Sequence, residues 1–249
     1  MLYRKHPMKR RQALFSLGAL MAAPALAVPA KAAEVHGYPE DMALNPDSVP
    51  QGIRRGGVRL SLTDDTDYKT VKVVFDRLMP ADELGPSASE AGCLDFLDAQ
   101  LAGPFGEGQS LYRDKPLDPK ADEMMQVPQF IATPRERYDT GLKALEAYAR
   151  KTDGASFADL QPNRQDEILE GMENGTISLG PDINTKAFFE LMLQNVREGY
   201  FADPLYGGNK DMVGWKMIGF PGARYDYRAY TDKNGQKLGL EPVSLIPRD

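Results

Sequence analysis

The segment 185-TKAFFELMLQNVREGY-200 decides the fold. Its apolar residues recur at spacings of three and four, which places them on one face of a helix. We therefore predict a helix from about Lys186 to Tyr200, capped by Asn184 or Thr185. It is the most hydrophobic helix that the sequence predicts, and its apolar face consists of Phe188, Phe189, Met192, Leu193 and Val196.

Four further helices precede this segment in the sequence. Each combines apolar residues at helical spacing with a capping residue or a proline at its start. Two are also bounded by helix-stopping signals, a proline in one case and an Asn-Gly pair in the other. The predicted helices run from Thr63 to just before Pro80, from Pro86 or Ser87 to Ala102, from Pro134 to Lys151, and from Pro162 to Asn174.

Long stretches without periodicity separate the predicted helices. Residues 33–62 are rich in proline, glycine and aspartate and are expected to form an extended arm, and residues 103–132 are expected to form a loop. No segment alternates for long enough to predict a sheet of several strands. We therefore predict a mainly α fold, an irregular bundle of about five short helices with long ordered loops and an extended N-terminal arm. The helical domain is expected to span residues 63–249.

The amino terminus has the order of an export signal. A basic stretch precedes the apolar run 13–23, and small residues follow as far as Ala30-Lys31-Ala32, an A-x-A cleavage pattern. Arg10 and Arg11 stand just before the apolar run, which favours the twin-arginine route. Residues 1–32 are thus predicted to be a twin-arginine signal peptide, and the protein to be periplasmic. A general secretory signal or a plain basic tail is the alternative.

Composition restricts the class of protein and the kind of partner. Hydrophobic residues at 42% and charged residues at 27% are typical of a folded domain rather than a disordered or membrane-embedded chain. Without residues 1–32, the chain carries 24 basic against 36 acidic residues. Such an acidic body repels phosphate backbones, so nucleic acid is not an expected partner.

The sequence contains no convincing catalytic set. Beyond the predicted signal the sole histidine is His36, which lies in the arm, and Cys93 is the single cysteine. These counts exclude zinc sites built from cysteine and histidine and make a histidine-dependent triad improbable. We expect no catalytic, metal-binding or cofactor-binding residue in this chain. Cys93 is either a buried thiol or, in an exported protein, one half of an intermolecular bridge.

The segment 201-FADPLYGGNKDMVGWKMIGFPG-222 is the main candidate for function. It contains the only tryptophan and is so rich in glycine and proline that we expect neither helix nor strand. Aromatic anchors are enriched at the centres of protein interfaces. The predicted partner-interface residues are Tyr206, Asn209, Trp215, Lys216 and Phe220. The alternative is that the aromatic residues complete the protein's own core.

This segment also carries a family resemblance. Its Tyr206-Gly207-Gly208-Asn209, Gly214-Trp215 and Ile218-Gly219-Phe220-Pro221-Gly222-Ala223 motifs closely resemble those of gluconate 2-dehydrogenase subunit 3. Leu84-Gly85-Pro86-Ser87-Ala88 is similar to an earlier motif of the same family. The resemblance runs from about Thr63 to Tyr230.

The resemblance implies a non-catalytic small subunit of a periplasmic sugar or sugar-acid dehydrogenase. In such complexes a large subunit carries FAD and often an iron–sulfur cluster, and a multihaem cytochrome c passes electrons towards the membrane. The small subunit supplies the twin-arginine signal to the translocase and supports maturation of the flavoprotein, and it meets the membrane only through its partners. Some relatives have a disulfide between the small and large subunits, which Cys93 could form here. Gluconate, ketogluconate, fructose, sorbitol and glucose all remain open as substrates.

Two other classes of function stay open on the sequence. One is an exported enzyme with an unrecognised cofactor site, and the other is a solitary structural or ligand-binding protein.

Overall fold

The computed structural model describes residues 52, 57–109, 111, 117–118, 120, 129–224, 226–236 and 238–246. All of them belong to one unit, residues 45–249. The predicted signal peptide, with Arg10, Arg11, Ala30 and Ala32, and most of the predicted arm lie outside the described residues. The signal peptide, its cleavage site and the extended arm therefore stay predictions.

The described residues form six α-helices, and no strand occurs among them. The helices are α1 Asp65–Leu78, α2 Cys93–Ala102, α3 Pro134–Asp153, α4 Pro162–Asn174, α5 Thr185–Phe201 and α6 Val213–Ile218. Four single-turn 3-10 helices accompany them, at Phe157–Asp159, Pro204–Tyr206, Lys210–Met212 and Arg228–Tyr230. The mainly α prediction is confirmed, and no described helix is long and apolar enough to cross a bilayer.

Helix α5 lies at the centre of the bundle. It contacts α1, α2, α3, α4 and α6, and its predicted apolar face is largely buried. Phe188 packs edge-on against Tyr138 of α3, with 5.8 Å between the ring centroids. The Asn184 side chain accepts a hydrogen bond from the N–H of Ala187 and caps the helix, as one of the two sequence alternatives predicted.

The predicted starts of α3 and α4 are confirmed. Thr133 and Glu136 form a reciprocal capping box at the start of α3, which satisfies two main-chain N–H groups. Helix α4 begins at Pro162 and ends at Asn174, where Gly175 adopts the left-handed conformation that terminates many helices.

Two other predicted starts are wrong. Asp64 rather than Thr63 caps α1, because its carboxylate accepts hydrogen bonds from the N–H groups of Thr66 and Asp67. Helix α2 begins at Cys93, several residues later than predicted. The carboxylates of Glu90 and Asp76 hold the preceding N–H groups in turns, and Gly92 at φ 83° interrupts the helical path.

Asp98 of α2 fixes the chain just before α1. Its carboxylate accepts hydrogen bonds from three consecutive main-chain N–H groups, those of Leu60, Ser61 and Leu62, at 2.7, 2.8 and 2.7 Å. The Asp98 side chain is itself buried. The end of the predicted arm is thereby bound to the helical domain through its backbone.

Candidate functional site

Residues 201–222 fold into a fixed structure after the end of α5. The segment contains two 3-10 turns and helix α6, so the expectation of neither helix nor strand is wrong. Three residues other than glycine, Asn209, Asp211 and Met212, adopt left-handed backbone angles with φ between 46° and 56°. Such angles are unfavourable for residues with a side chain and persist only where the surroundings impose them.

Asn209 supplies much of that constraint. Its side chain is fully buried. The amide nitrogen donates to the carbonyl of Ala202 at 2.8 Å, and the amide oxygen accepts from the N–H of Gly214 at 2.8 Å. Asn209 thus ties the end of α5 to the start of α6, and its neighbour Lys210 donates its main-chain N–H to the carbonyl of Ala91.

Two glycines let the segment lie directly on α5. A Cβ atom at Gly208 would overlap the carbonyl of Gly199, and one at Gly214 would overlap the carbonyl of Tyr200. Both overlaps are with main-chain atoms, which cannot move aside without shifting the helix. Glycine is therefore required at both positions by close packing.

Trp215 completes this packing. Only 4% of its surface is exposed, and its indole Nε1 donates to the carbonyl of Phe201 at 2.7 Å. Its ring meets Phe220 edge-on, with 5.2 Å between centroids. The structure therefore places Trp215, like Asn209, within the protein's own fold, which is the alternative that the sequence had left open.

The other predicted interface residues lie at the surface. Tyr206, Lys216 and Phe220 are exposed, and Phe220 leaves 44% of its surface uncovered although one edge touches Trp215. Ile218, which the sequence analysis did not single out, is 59% exposed at the end of α6. Contact of these residues with a partner stays a prediction.

The C-terminal tail, residues 238–246, packs against the same segment. Val243 donates to the carbonyl of Pro221 at 3.2 Å, and its own carbonyl accepts from Ala223 at 2.7 Å, which forms a short parallel bridge. The Asp203 carboxylate accepts hydrogen bonds from the Ser244 hydroxyl and the Leu245 N–H. Sequence reasoning missed this contact, and the apolar residues Val243, Leu245 and Ile246 close to the terminus are the signal that could have indicated it.

Cys93 lies in the core at the start of α2. Its side chain is fully buried, and burial, reinforced by the negative charge of Asp76, raises the thiol pKa to about 12. Its Sγ points at the carbonyl of Val196 on α5. This is the buried-thiol alternative, and an intersubunit disulfide would require the start of α2 to open.

A separate open cleft lies between α1 and α3. It is lined by carboxylates and by Lys143 and Arg150. Burial, together with the nearby charge of Asp64, raises the pKa of Asp67. Within the described residues no group of three or more histidine, cysteine, aspartate or glutamate side chains could hold a metal ion.

Comparison with known proteins identifies the family. The family model described as gluconate 2-dehydrogenase subunit 3 matches residues 65–222, more than half of the 249 residues. No curated protein and no solved structure matches the chain. The match includes the early motif at Leu84 and the YGGN, GW and IGFPG motifs that carry the sequence resemblance. The chain belongs to the gluconate 2-dehydrogenase subunit 3 family.

Proposed function

We propose that this chain is the non-catalytic small subunit of a periplasmic FAD-dependent sugar or sugar-acid dehydrogenase complex. The family match over residues 65–222 carries the proposal, because the family is a subunit of a dehydrogenase and therefore has partner subunits. The chain carries the export signal for the complex and supports maturation and assembly of the flavoprotein subunit.

The distribution of chemical groups supports an accessory role. Both histidines of the chain, His6 and His36, lie outside the family match, and the single cysteine is buried with a high pKa. The aromatic motifs that carry the resemblance are built into a fixed surface segment rather than around an acid–base pair. A segment of this kind, common to the family, is better suited to recognition of another subunit than to catalysis.

The cofactors belong to the partners in this proposal. FAD and an iron–sulfur cluster reside in the large dehydrogenase subunit, and haem c resides in a cytochrome subunit that passes electrons to the membrane. The small subunit reaches the membrane only through them. Its motifs do not select a substrate among gluconate, ketogluconate, fructose, sorbitol and glucose.

Export of the two subunits tests the carrier role. Arg10 and Arg11 are both replaced by lysine, and the small subunit and the flavoprotein are followed by immunoblotting of periplasmic and cytoplasmic fractions. We expect both proteins to remain in the cytoplasm, because the twin-arginine signal is read by a receptor and the flavoprotein travels with its partner. Continued export of the flavoprotein would refute the carrier role.

A second experiment addresses the complex itself. The wild-type chain with an affinity tag is purified from its own cells, and the proteins that accompany it are identified by mass spectrometry. A flavoprotein dehydrogenase subunit with bound FAD is expected in stoichiometric amount. A chain that purifies alone as a stable monomer, or that oxidises a sugar alone, would contradict the accessory role.

A further inference from the structure

We propose that residues 243–246 form a strap that holds residues 220–223 over the Trp215 ring and that opens as one unit. The strap joins the two ends of the aromatic segment, residues 201–222. Opening of the strap would make the Trp215 ring, which is buried in the closed state, accessible to other molecules. The inference does not depend on the proposed function, because it concerns the subunit by itself.

The strap is tied to the end of the aromatic segment. The N–H of Val243 donates to the carbonyl of Pro221 at 3.2 Å, and the carbonyl of Val243 accepts from the N–H of Ala223 at 2.7 Å. These two bonds form the parallel bridge between Val243 and Gly222. Val243 therefore pairs with the backbone on both sides of Gly222.

The strap is also tied to the beginning of the segment, through Asp203. One carboxylate oxygen accepts from the Ser244 hydroxyl at 2.7 Å, and the other accepts from the N–H of Leu245 at 2.9 Å. The same carboxylate accepts from the N–H of Leu205 and caps the turn Pro204–Tyr206. One side chain thus couples the strap to the first turn of the segment.

Gly222 connects the strap to the tryptophan. A Cβ atom at Gly222 would collide with the carbonyl of Val243 and would lie 2.9 Å from the Trp215 ring, so this glycine lies between the strap and the ring. Phe220 also meets the ring edge-on, and its N–H donates to the carbonyl of Trp215 at 2.9 Å. Residues 220–222 therefore fold back over Trp215, and the strap holds the end of that fold in place.

The contacts of the strap are more exposed than those of the segment beneath it. Val243 and Leu245 leave 40% and 52% of their surfaces uncovered, so hydrogen bonds rather than buried side chains hold them. Beneath them, Asn209 is fully buried and the Trp215 indole is bonded to the end of α5. Regions with few buried apolar contacts and exposed hydrogen bonds open at the lowest free energies. The strap should therefore open while the inner part of the segment stays closed.

The chain just before the strap has attachments of its own. Pro242 is buried, and the carbonyl of Glu241 accepts a hydrogen bond from the Arg224 side chain. These contacts do not involve Asp203 or Pro221. The opening unit consequently begins after Pro242.

The first experiment weakens one end of the strap and measures the other end. Ser244→Ala removes the hydroxyl that donates to Asp203, and the amide of Ala223, which bonds to Val243, is followed by hydrogen exchange with NMR detection. We expect the protection factors of Ala223, Val243 and Leu245 to fall together by about fivefold, because a unit that opens as a whole is weakened as a whole. A loss confined to Leu245, or no loss at all, would overturn the strap.

Ser178→Ala is the matched control. It removes a hydroxyl that accepts from the N–H of Gly180 in an exposed loop. The protection factors of Ala223 and Val243 should stay within about twofold of wild type in this variant, because the loop is a separate opening unit. An equal loss in the control would show that the effect of Ser244→Ala is not specific to the strap and would overturn the inference.

The sole tryptophan reports whether the ring becomes accessible. A chain that ends at Pro242 lacks the strap, whereas a chain that ends at Ile246 keeps every contact named above. We expect acrylamide to quench the fluorescence of Trp215 about twofold more strongly in the shorter chain, and to quench the longer chain as it quenches wild type. Equal quenching in the two shortened chains would refute a role of the strap in covering the ring.

The amide of Gly214 separates opening of the strap from a general folding defect. It donates to the buried side chain of Asn209, beneath the strap. Its protection factor should be unchanged in Ser244→Ala and in the chain that ends at Pro242. A loss at Gly214 in either variant would show that residues 243–246 open together with the inner part of the segment, and would overturn the strap.

Discussion

The indole of Trp215 donates a hydrogen bond of 2.7 Å to the main-chain carbonyl of Phe201, the last residue of α5. This contact is one of those that fix the aromatic segment to the central helix. The donor lies on α6, and the acceptor is one of the carbonyls that a helix leaves free at its end. The tryptophan therefore satisfies a carbonyl at the end of the central helix and holds α6 against it.

Replacing Trp215 by phenylalanine should destabilise the isolated subunit. The substitution keeps an aromatic ring but removes the donor, so the partly buried Phe201 carbonyl loses its partner at a cost of about 1–2 kcal/mol. Trp215→Ala should cost about 3–5 kcal/mol, because it also leaves a cavity. Urea unfolding followed by circular dichroism measures both effects.

Tyr227→Phe, at an exposed ring, is the matched control and should leave the free energy of unfolding unchanged. If Trp215→Phe left stability intact and weakened only the binding of the flavoprotein, the indole would serve the partner rather than the fold.

Asn209→Asp should destabilise the subunit by about 2 kcal/mol at pH 7. The introduced aspartate keeps an oxygen that accepts from the Gly214 N–H. Its second oxygen, however, faces the Ala202 carbonyl, to which the wild-type amide nitrogen donates, so two acceptors meet there. Below the pKa of the introduced carboxyl, the protonated group can donate to the Ala202 carbonyl again. The loss in unfolding free energy relative to wild type should therefore become smaller on acidification.

Asn234→Asp, in the exposed turn before Gly235, is the control. Its free energy of unfolding should equal that of wild type at pH 7 and at pH 4. A deficit of Asn209→Asp that stays constant between pH 7 and pH 4 would show that the donated hydrogen bond is not what the amide contributes.

The sequence was a good guide where local chemistry decides the structure. Pro162 and the Asn174-Gly175 pair bound α4 because a proline is favourable at a helix start and a glycine at its end. The resemblance motifs also placed the chain in its family.

Tertiary contacts decide the other features of the fold, and the local sequence pattern could not predict those features. The start of α2 is delayed because Asp76 of α1 takes the N–H of Ser89, a partner from another helix. Helix α6 forms in a glycine-rich segment because Asn209 and Trp215 both bond to the end of α5. The tail joins the segment through Asp203, about 40 residues earlier, and no local pattern reports such a pairing.

Acid should remove the contribution of Asp76 to stability. Burial opposes ionisation of this carboxyl, but hydrogen bonds from Lys72 and Ser89 outweigh it and lower the pKa below the ordinary value of 3.8. A lowered pKa stabilises the folded state above the unfolded pKa, and this stabilisation is lost as the pH falls through the folded pKa. The difference in unfolding free energy between wild type and Asp76→Asn should therefore be constant from pH 7 to pH 5 and shrink below about pH 4.

Urea unfolding at a series of pH values measures this difference. Asp232→Asn, at an exposed position, corrects for the general effect of removing one negative charge. A difference that grew on acidification would show that the pKa of Asp76 is raised in the folded state.

Cys93 should be inert to thiol reagents in the folded subunit. Its side chain is fully buried and its pKa of about 12 leaves almost no thiolate at neutral pH. Ellman's reagent should react with one thiol per chain in 6 M guanidinium chloride and with none in buffer.

Non-reducing electrophoresis of the purified complex gives the complementary result. The small subunit should migrate at its own mass with and without reductant. A band at the summed mass of two subunits, lost in the Cys93→Ala variant, would show that the complex holds an intersubunit bridge.

The Asp98 carboxylate accepts hydrogen bonds from the backbone N–H groups of residues 60–62 and not from their side chains. The three hydrogen bonds are consequently indifferent to which amino acids stand there, except for proline, which has no N–H to give. Leu62 is also held by its side chain, which is buried in the hydrophobic core. The side chains at positions 60 and 61 can therefore be exchanged for any residue other than proline while the anchoring point on α2 stays the same.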